Sequence, residues 1–268
     1  MENGAIKFSP FMKGKEKKEE TIVKEAVLSI KDLHKSYGKK EVLKGINLEV
    51  YKGEVFGFIG KNGAGKSTTI DCIVGLKDFD QGEIVLANHN VKENPLDAKM
   101  ALGYVPSEPI TYEVMTGCEY LQFIASSYNM YQEAFDSNYE FLKKKFMIGD
   151  ADLNRRIKEY SHGMKQKVCL MASLIHNPSV WILDEPTVGL DIIVYQTLME
   201  MLKEFAKNGK TVFITSHNID LVSRVCSRVA IINNGVVSEL IDFSKEPMKR
   251  KMLSNIFFST YGAEATEK

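Results

Sequence analysis

Three observations predict an α/β fold. EVFGFIG is a short apolar strand that runs straight into a glycine-rich turn and then into STTIDCIVGL, which has helical character. VWILD and TVFIT are short apolar runs of the kind that form parallel strands buried on both faces. Ahead of them, from about Thr116 to Ile157, apolar residues recur at helical spacing with few Gly or Pro, which predicts a helical subdomain inserted into the α/β core.

In chain order, residues 1–25 mix Lys and Glu with Gly and Pro and read as an N-terminal extension. VLSIKDLHKSY and EVLKGINLEV flank the polar turn Gly38-Lys39-Lys40, which predicts a hairpin and with it an antiparallel β subdomain. Another strand is expected to start at Gly82. IIVYQTLMEMLKEFAKN predicts a helix that stops at Gly209, and DLVSRVC a shorter amphipathic run. VAIINNGVVSEL reads as a hairpin turning on Asn234-Gly235, and the tail from Phe243 as a helix packed back on the core. The expected division is therefore an extension over 1–25, a core domain over 26–242 with its helical subdomain at about 108–165, and a C-terminal tail over 243–268.

Composition bounds the function. A chain of 268 residues with 44% hydrophobic side chains buries one sizeable core with room for a satellite subdomain. Its 35 basic and 35 acidic residues cancel, so net charge offers no support for a nucleic-acid partner. Cys72, Cys118, Cys169 and Cys226 lack the spacing of a disulfide framework or a zinc site and read as reduced structural thiols. No stretch reaches the roughly 20 apolar residues that a membrane span needs, and the first residues lack a secretory apolar region, so a cytoplasmic location is expected.

Gly60-Lys61-Asn62-Gly63-Ala64-Gly65-Lys66-Ser67 matches the phosphate-loop pattern G-x-x-x-x-G-K-[ST] in its required setting, after a strand and before a helix. The glycines let backbone N–H groups turn inward around phosphate oxygens, and the helix start adds further unpaired donors. Lys66 is expected to reach the β- and γ-phosphates, Ser67 to place its hydroxyl on Mg²⁺, and Thr68 to bond near the α-phosphate. A chance glycine-rich turn is the bland alternative. The run Val180–Leu183 carries Asp184 and Glu185 out at a strand end, where Asp184 is the expected Mg²⁺ partner and Glu185 polarises the attacking water. Alone, that pair is also readable as an ion pair or a helix cap. Together the two motifs predict a P-loop NTPase core. No Asn-Lys-x-Asp sequence is present to read guanine, which favours ATP over GTP.

From about Val27 to Leu240 the chain resembles the ATP-binding subunits of ABC transporters, especially the short bacterial ones partnered with export-type permeases. Tyr160-Ser161-His162-Gly163-Met164-Lys165-Gln166 matches the family's signature, with His162 in place of its first Gly and Met164 in place of its Gln. The resemblance implies that Ser161 and Gly163 reach the γ-phosphate held by the opposite subunit. A plain helix cap by Ser161 is the alternative. It implies likewise that Pro186–Asp191 communicates across a dimer, that His217 is the switch histidine beside Glu185, and that Tyr37 stacks on adenine. Ordinary polar or packing roles are the alternatives for His217 and Tyr37. After Leu102–Pro106 the family places a Mg²⁺-contacting Gln. This chain has Ser107 and Glu108, which become the candidates for that role.

The implied activity is ATP hydrolysis with Glu185, His217 and Lys66 as catalytic residues. The implied assembly is a homodimer, or a heterodimer with a related subunit, docked on a membrane permease at the cytoplasmic face, with no nucleic acid. The competing class is a soluble relative acting on ribosomes or nucleic acid. Such proteins would carry paired nucleotide domains, a long coiled-coil insertion or a strong basic patch, and the sequence shows none of these.

Overall fold

The computed structural model describes residues 25–262, so all of the expected N-terminal extension but Glu25, and the last residues of the tail, lie outside the described residues. Strands β1 (Ala26–Tyr37) and β2 (Lys40–Tyr51) form the expected hairpin, with Tyr37 opposite Lys40 across the turn. Strand β4 (Gln81–Leu86) pairs antiparallel with β1, and β5 (His89–Asn90) with β4, giving a sheet of order β2-β1-β4-β5. Alternation decides its inner face. Leu28 and Ile30 of β1, and Ile46, Leu48 and Val50 of β2, are buried at two-residue intervals.

The second sheet has the order β10-β9-β3-β8-β7-β6. Its parallel strands are β3 (Val55–Ile59), β6 (Leu102–Val105), β7 (Val180–Asp184), β8 (Thr211–Thr215) and β9 (Arg228–Asn233). Strand β10 (Val236–Asp242) runs antiparallel at one edge, turning from β9 through Asn234 and Gly235. Both turn residues have positive φ, 47° and 82°, the geometry for which Asn-Gly is suited. Every residue of β3, β7 and β8 is buried, as continuous apolar runs between two covered faces require. One face meets the antiparallel sheet through Phe56, Phe58 and Phe213, whose rings lie 5.5–5.8 Å apart.

Helices α1 (Lys66–Ile73) and α2 (Pro95–Met100) follow β3 and β5. Between β6 and β7 lie α3 (Gly117–Ser127), α4 (Gln132–Phe146), α5 (Asp150–Leu153) and α6 (His162–Leu174). Helices α3, α4 and α5 fall within the expected insertion, whereas most of α6 runs past its expected end at about 165. A reciprocal capping box starts α3, with the Thr116 hydroxyl accepting from the Glu119 amide and the Glu119 carboxylate accepting from Thr116. Helix α7 (Ile192–Lys207) ends at Asn208, and Gly209 takes φ 76° just beyond it. After α8 (Ile219–Val225), the tail forms α9 (Pro247–Gly262), which buries Leu253, Phe257 and Tyr261. All four cysteines are free, and no described helix is long and apolar enough to cross a membrane.

Strands β3, β8, β7 and β6 are parallel neighbours, so their C-terminal ends share one edge of the sheet. The phosphate loop, Thr215 to His217, Asp184 to Glu185, and Ser107 to Glu108 all leave the sheet on that edge.

Candidate active site

The phosphate loop leaves β3 at Gly60 and is pressed between β2 and β9. A Cβ on Gly60 would lie 2.6 Å from the Ile232 carbonyl oxygen, and one on Gly65 would lie 2.8 Å from Leu43 Cδ2. Gly65 also takes φ 116°, a conformation that L side chains rarely adopt. The turn between β9 and β10 braces the loop from behind, donating the Gly235 amide to the Ala64 carbonyl at 3.1 Å. Helix α1 starts with no side-chain cap and no acidic residue in its first turn. Thr69 donates to the Gly65 carbonyl, whereas the amides of Lys66, Ser67 and Thr68 precede the first helical acceptor. A bare, positively polarised helix start beside exposed Asn62, Gly63 and Ser67, half-buried Thr68 and buried Ala64 fits an anion such as a phosphate chain.

Lys66 is buried, and its ammonium donates to the Gly60 carbonyl at 2.8 Å, with the Lys61 carbonyl at 3.4 Å. Burial lowers its pKa, and the negative charges of Glu185 and Asp184 work against that shift. Lysine and both carboxylates thus share one electrostatic neighbourhood.

Asp184 ends β7, is 2% exposed, and accepts a hydrogen bond from the Thr215 hydroxyl at 2.5 Å. Thr215 ends β8 directly opposite it. The next residue, Glu185, has φ 49°, uncommon for a long side chain, and its amide is held at 3.2 Å by both the carbonyl and the hydroxyl oxygens of Thr215. The Glu185 carboxylate accepts from the His217 amide at 3.2 Å and meets His217 Nδ1 at 2.9 Å. The imidazole is 70% exposed while the glutamate side chain is 16% exposed, so the pair opens toward solvent at the sheet edge. Ser107 and Glu108 follow β6 on that edge, and both are exposed.

Ser67 and Asp184 are hard oxygen donors of the kind Mg²⁺ takes. Among the described residues no group of three or more His, Cys, Asp or Glu side chains converges to hold an ion unaided. Such a sparse donor set fits a Mg²⁺ that draws its remaining ligands from substrate phosphates and water.

Ser161 caps α6 by accepting from the Met164 amide at 3.3 Å. Ser161 and His162 are exposed, and the start of α6 packs on the loop 186–191. A Cβ on Gly163 would lie 2.5 Å from the Gly189 carbonyl oxygen, and one on Gly189 would lie 2.3 Å from His162 Cδ2. Gln166 donates to the Pro186 carbonyl at 3.0 Å, and Lys167 pairs with Asp191 at 3.2 Å. Asp191 also caps α7, and the Val194 amide, with Lys167 beside it, holds its carboxyl below the ordinary value. Tyr37 ends β1 with its ring 44% exposed, and the Lys35 and Lys77 ammonium groups lie 5.4 and 5.5 Å from its centroid.

Two contributors escaped the sequence reading. Thr215 bridges the Asp184 carboxylate and the Glu185 backbone amide, yet nothing distinguishes it within TVFIT. Tyr261 of α9 accepts a hydrogen bond from the Lys61 amide of the phosphate loop from 200 positions away.

Comparison with known proteins identifies the family. Residues 43–188 match the family model described as ABC transporter. The chain is 35% identical to the ABC-type transporter ATP-binding protein EcsA of Bacillus subtilis (strain 168), over 79% of this chain and 85% of that one. It is 31% identical to the SkfA peptide export ATP-binding protein SkfE of the same organism, over 78% of this chain and 86% of that protein. A solved structure described as the ATP-binding subunit of an ABC transporter superposes with a TM-score of 0.78 at 30% identity, covering 82% of this chain and 91% of that one. The matched segment holds the phosphate loop, the paired carboxylates and the signature segment, and the chain belongs to the ABC transporter family as an ATP-binding, ATP-hydrolysing subunit.

Proposed function

We propose that two such subunits, identical or closely related, face each other head to tail, and that ATP hydrolysis between them drives a separate membrane permease, in the direction of export. Each ATP lies between the phosphate loop of one subunit and the Ser161–Gly163 segment of the other. The observation that carries this reading is the shared edge where Lys66, Asp184 and the Glu185–His217 pair meet an uncapped helix start. The match to a peptide-export ATP-binding protein supports the direction.

In this reading Lys66 exchanges the Gly60 carbonyl for β- and γ-phosphate oxygens. The amides of Gly63, Ala64 and Gly65 and of the α1 start cradle the phosphate chain, with Gly60 and Asn62 shaping the loop and Thr68 bonding near the α-phosphate. Ser67 and Asp184, with Ser107 or Glu108 as further oxygen donors, would hold Mg²⁺, which when bound would supply positive charge against the phosphates. Glu185 orients and polarises water as a base, and His217 fixes the carboxylate through the 2.9 Å contact and offers its other ring nitrogen toward the γ-phosphate. Tyr37 lends its exposed ring face to adenine. Loop 186–191, tied to the start of α6 through Gln166 and Lys167, carries the state of one site to its neighbour.

Glu185→Gln tests the assignment, because it preserves size and polarity while removing the basic carboxylate. Steady-state hydrolysis is expected to fall on the order of 100-fold or more, with ATP binding retained and an ATP-dependent dimer accumulating in light scattering. Near-parental turnover in the purified variant with its permease would remove Glu185 from the role, and a scattering mass unchanged by ATP would remove the dimer.

A further inference from the structure

Lys61 and Gly60 share a single peptide group, and the two ends of that group have different partners. Its N–H donates to the Tyr261 hydroxyl at 2.9 Å, and its carbonyl accepts from the Lys66 ammonium at 2.8 Å. A trans peptide holds N–H and C=O in one plane and pointing opposite ways, so fixing either end orients the other. Tyr261 is buried and donates its own hydrogen to the Ile232 carbonyl at 2.5 Å. The phenol therefore sits where β3 and β9 part. The strands pair through Ile59 and Ile231, and one residue later the hydroxyl bridges the gap, taking an amide hydrogen from one chain segment and giving its own to the other. The Lys61 ammonium lies 4.4 Å from the centroid of the same ring, and Phe257, one turn earlier on α9, packs against it at 5.0 Å between centroids. Gly60 leaves the room for this arrangement, since a Cβ there would come within 3.1 Å of the hydroxyl oxygen.

We infer that Tyr261 is a positioning residue for the nucleotide site: its hydroxyl sets the plane of the Gly60–Lys61 peptide, and through that plane the resting place of Lys66 and the shape of the loop that receives phosphate. The C-terminal helix is thereby wired to the nucleotide pocket by one hydroxyl group, and a partner that shifts α9 would alter nucleotide affinity without touching the site. This inference rests on the proposed ATP-binding role of Lys66 and its loop, and adds a determinant outside every recognised motif.

The test compares Tyr261→Phe with Phe257→Leu in the full chain. The first removes only the hydroxyl, while the second loosens the same helix and keeps it. Two readouts are taken at a temperature where circular dichroism shows both variants folded: the dissociation constant for Mg-ATP and amide hydrogen exchange at Lys61. Tyr261→Phe is expected to weaken binding on the order of 3–10-fold, the range for losing a buried hydrogen bond, and to accelerate Lys61 exchange while β3 stays protected. Unchanged affinity, or an equal loss in Phe257→Leu, would overturn the inference by reducing Tyr261 to packing. If the parent itself bound no nucleotide, the proposed function would fall, and Lys61 exchange would still decide the clamp, an unchanged rate refuting it.

Discussion

Replacing Thr215 by Val isolates the hydroxyl that bridges the Asp184 carboxylate and the Glu185 amide, because Val keeps the β-branched shape. In the parent that hydroxyl donates to the Asp184 carboxylate at 2.5 Å and accepts from the Glu185 amide at 3.2 Å, at a residue with no exposed surface. A hydrogen bond to an ionised acceptor contributes about 1.5–3 kcal/mol, and a neutral one about 0.5–1.5 kcal/mol. Part of the second survives, since the Glu185 amide also reaches the Thr215 carbonyl at 3.2 Å. The buried methyl that replaces the hydroxyl returns about 0.8 kcal/mol. The net loss is then about 2 kcal/mol, which at an m-value of roughly 3 kcal/mol/M lowers the urea midpoint by about 0.7 M.

Hydrolysis suffers beyond stability. Asp184 loses the donor that fixes its carboxylate, and Glu185 loses one of two bonds that hold its left-handed backbone, so turnover is expected to fall roughly tenfold under conditions where the protein is folded. Thr215→Ser, which keeps the hydroxyl, retains most of the rate. An unshifted urea midpoint for Val would show that the 2.5 Å contact carries no weight. A Ser variant as slow as Val would move the effect from the hydroxyl to the lost methyl.

Lys66→Ala removes the buried cation proposed to meet phosphate, and is expected to weaken nucleotide binding on the order of 10–100-fold by isothermal titration; equal dissociation constants would contradict its role. Acid sensitivity is expected at His176, whose ring stacks on Tyr128 with centroids 3.5 Å apart and whose Nε2 donates to the Leu102 carbonyl, leaving buried Nδ1 without a partner. Burial drives its pKa from 6.5 down to about 4, against the pull of the Leu102 carbonyl and with help from Lys210. Below about pH 6.5 the unfolded chain binds a proton there that the folded chain refuses until about pH 4, so stability falls across that window, by up to about 3 kcal/mol, and levels off below it. Urea midpoints at about pH 7.5 and about pH 4.5 check this: His176→Gln keeps a donor for Leu102 and loses much of the difference, and an undiminished difference would clear His176 of responsibility.

The central parallel strands β3, β7 and β8 were legible because strands buried on both faces need largely apolar runs, and VFGFI, VWILD and TVFIT have them, whereas β5 and β6 were not read from the sequence. The hairpin at Asn234-Gly235 was legible because two successive positive φ angles select those residue types. The helical insertion showed in its spacing, although α6 carries the signature segment at its start and then continues beneath the sheet to Leu174. His176 was not legible as an acid-sensitive group, because a lone histidine beside a strand has no pattern that reveals its stacking partner or its depth.

The same distinction runs through the site. A phosphate chain is met by consecutive backbone amides, so its receptor must be contiguous in sequence and leaves a motif. Asp184 and Glu185 are adjacent for a related reason, both leaving the end of one strand. What holds them comes from strand register instead: Thr215 lies 31 positions away and is opposite Asp184 because β7 and β8 pair as they do. Register asks only for a small hydroxyl at a strand end, a requirement too weak to mark a sequence. Tyr261 is further removed still, answering to the angle at which α9 crosses the gap between β3 and β9. Groups that touch phosphate are therefore written in motifs, while the groups that hold them in place are written in packing, and removal of Thr215 or Tyr261 is where the two kinds of information separate experimentally.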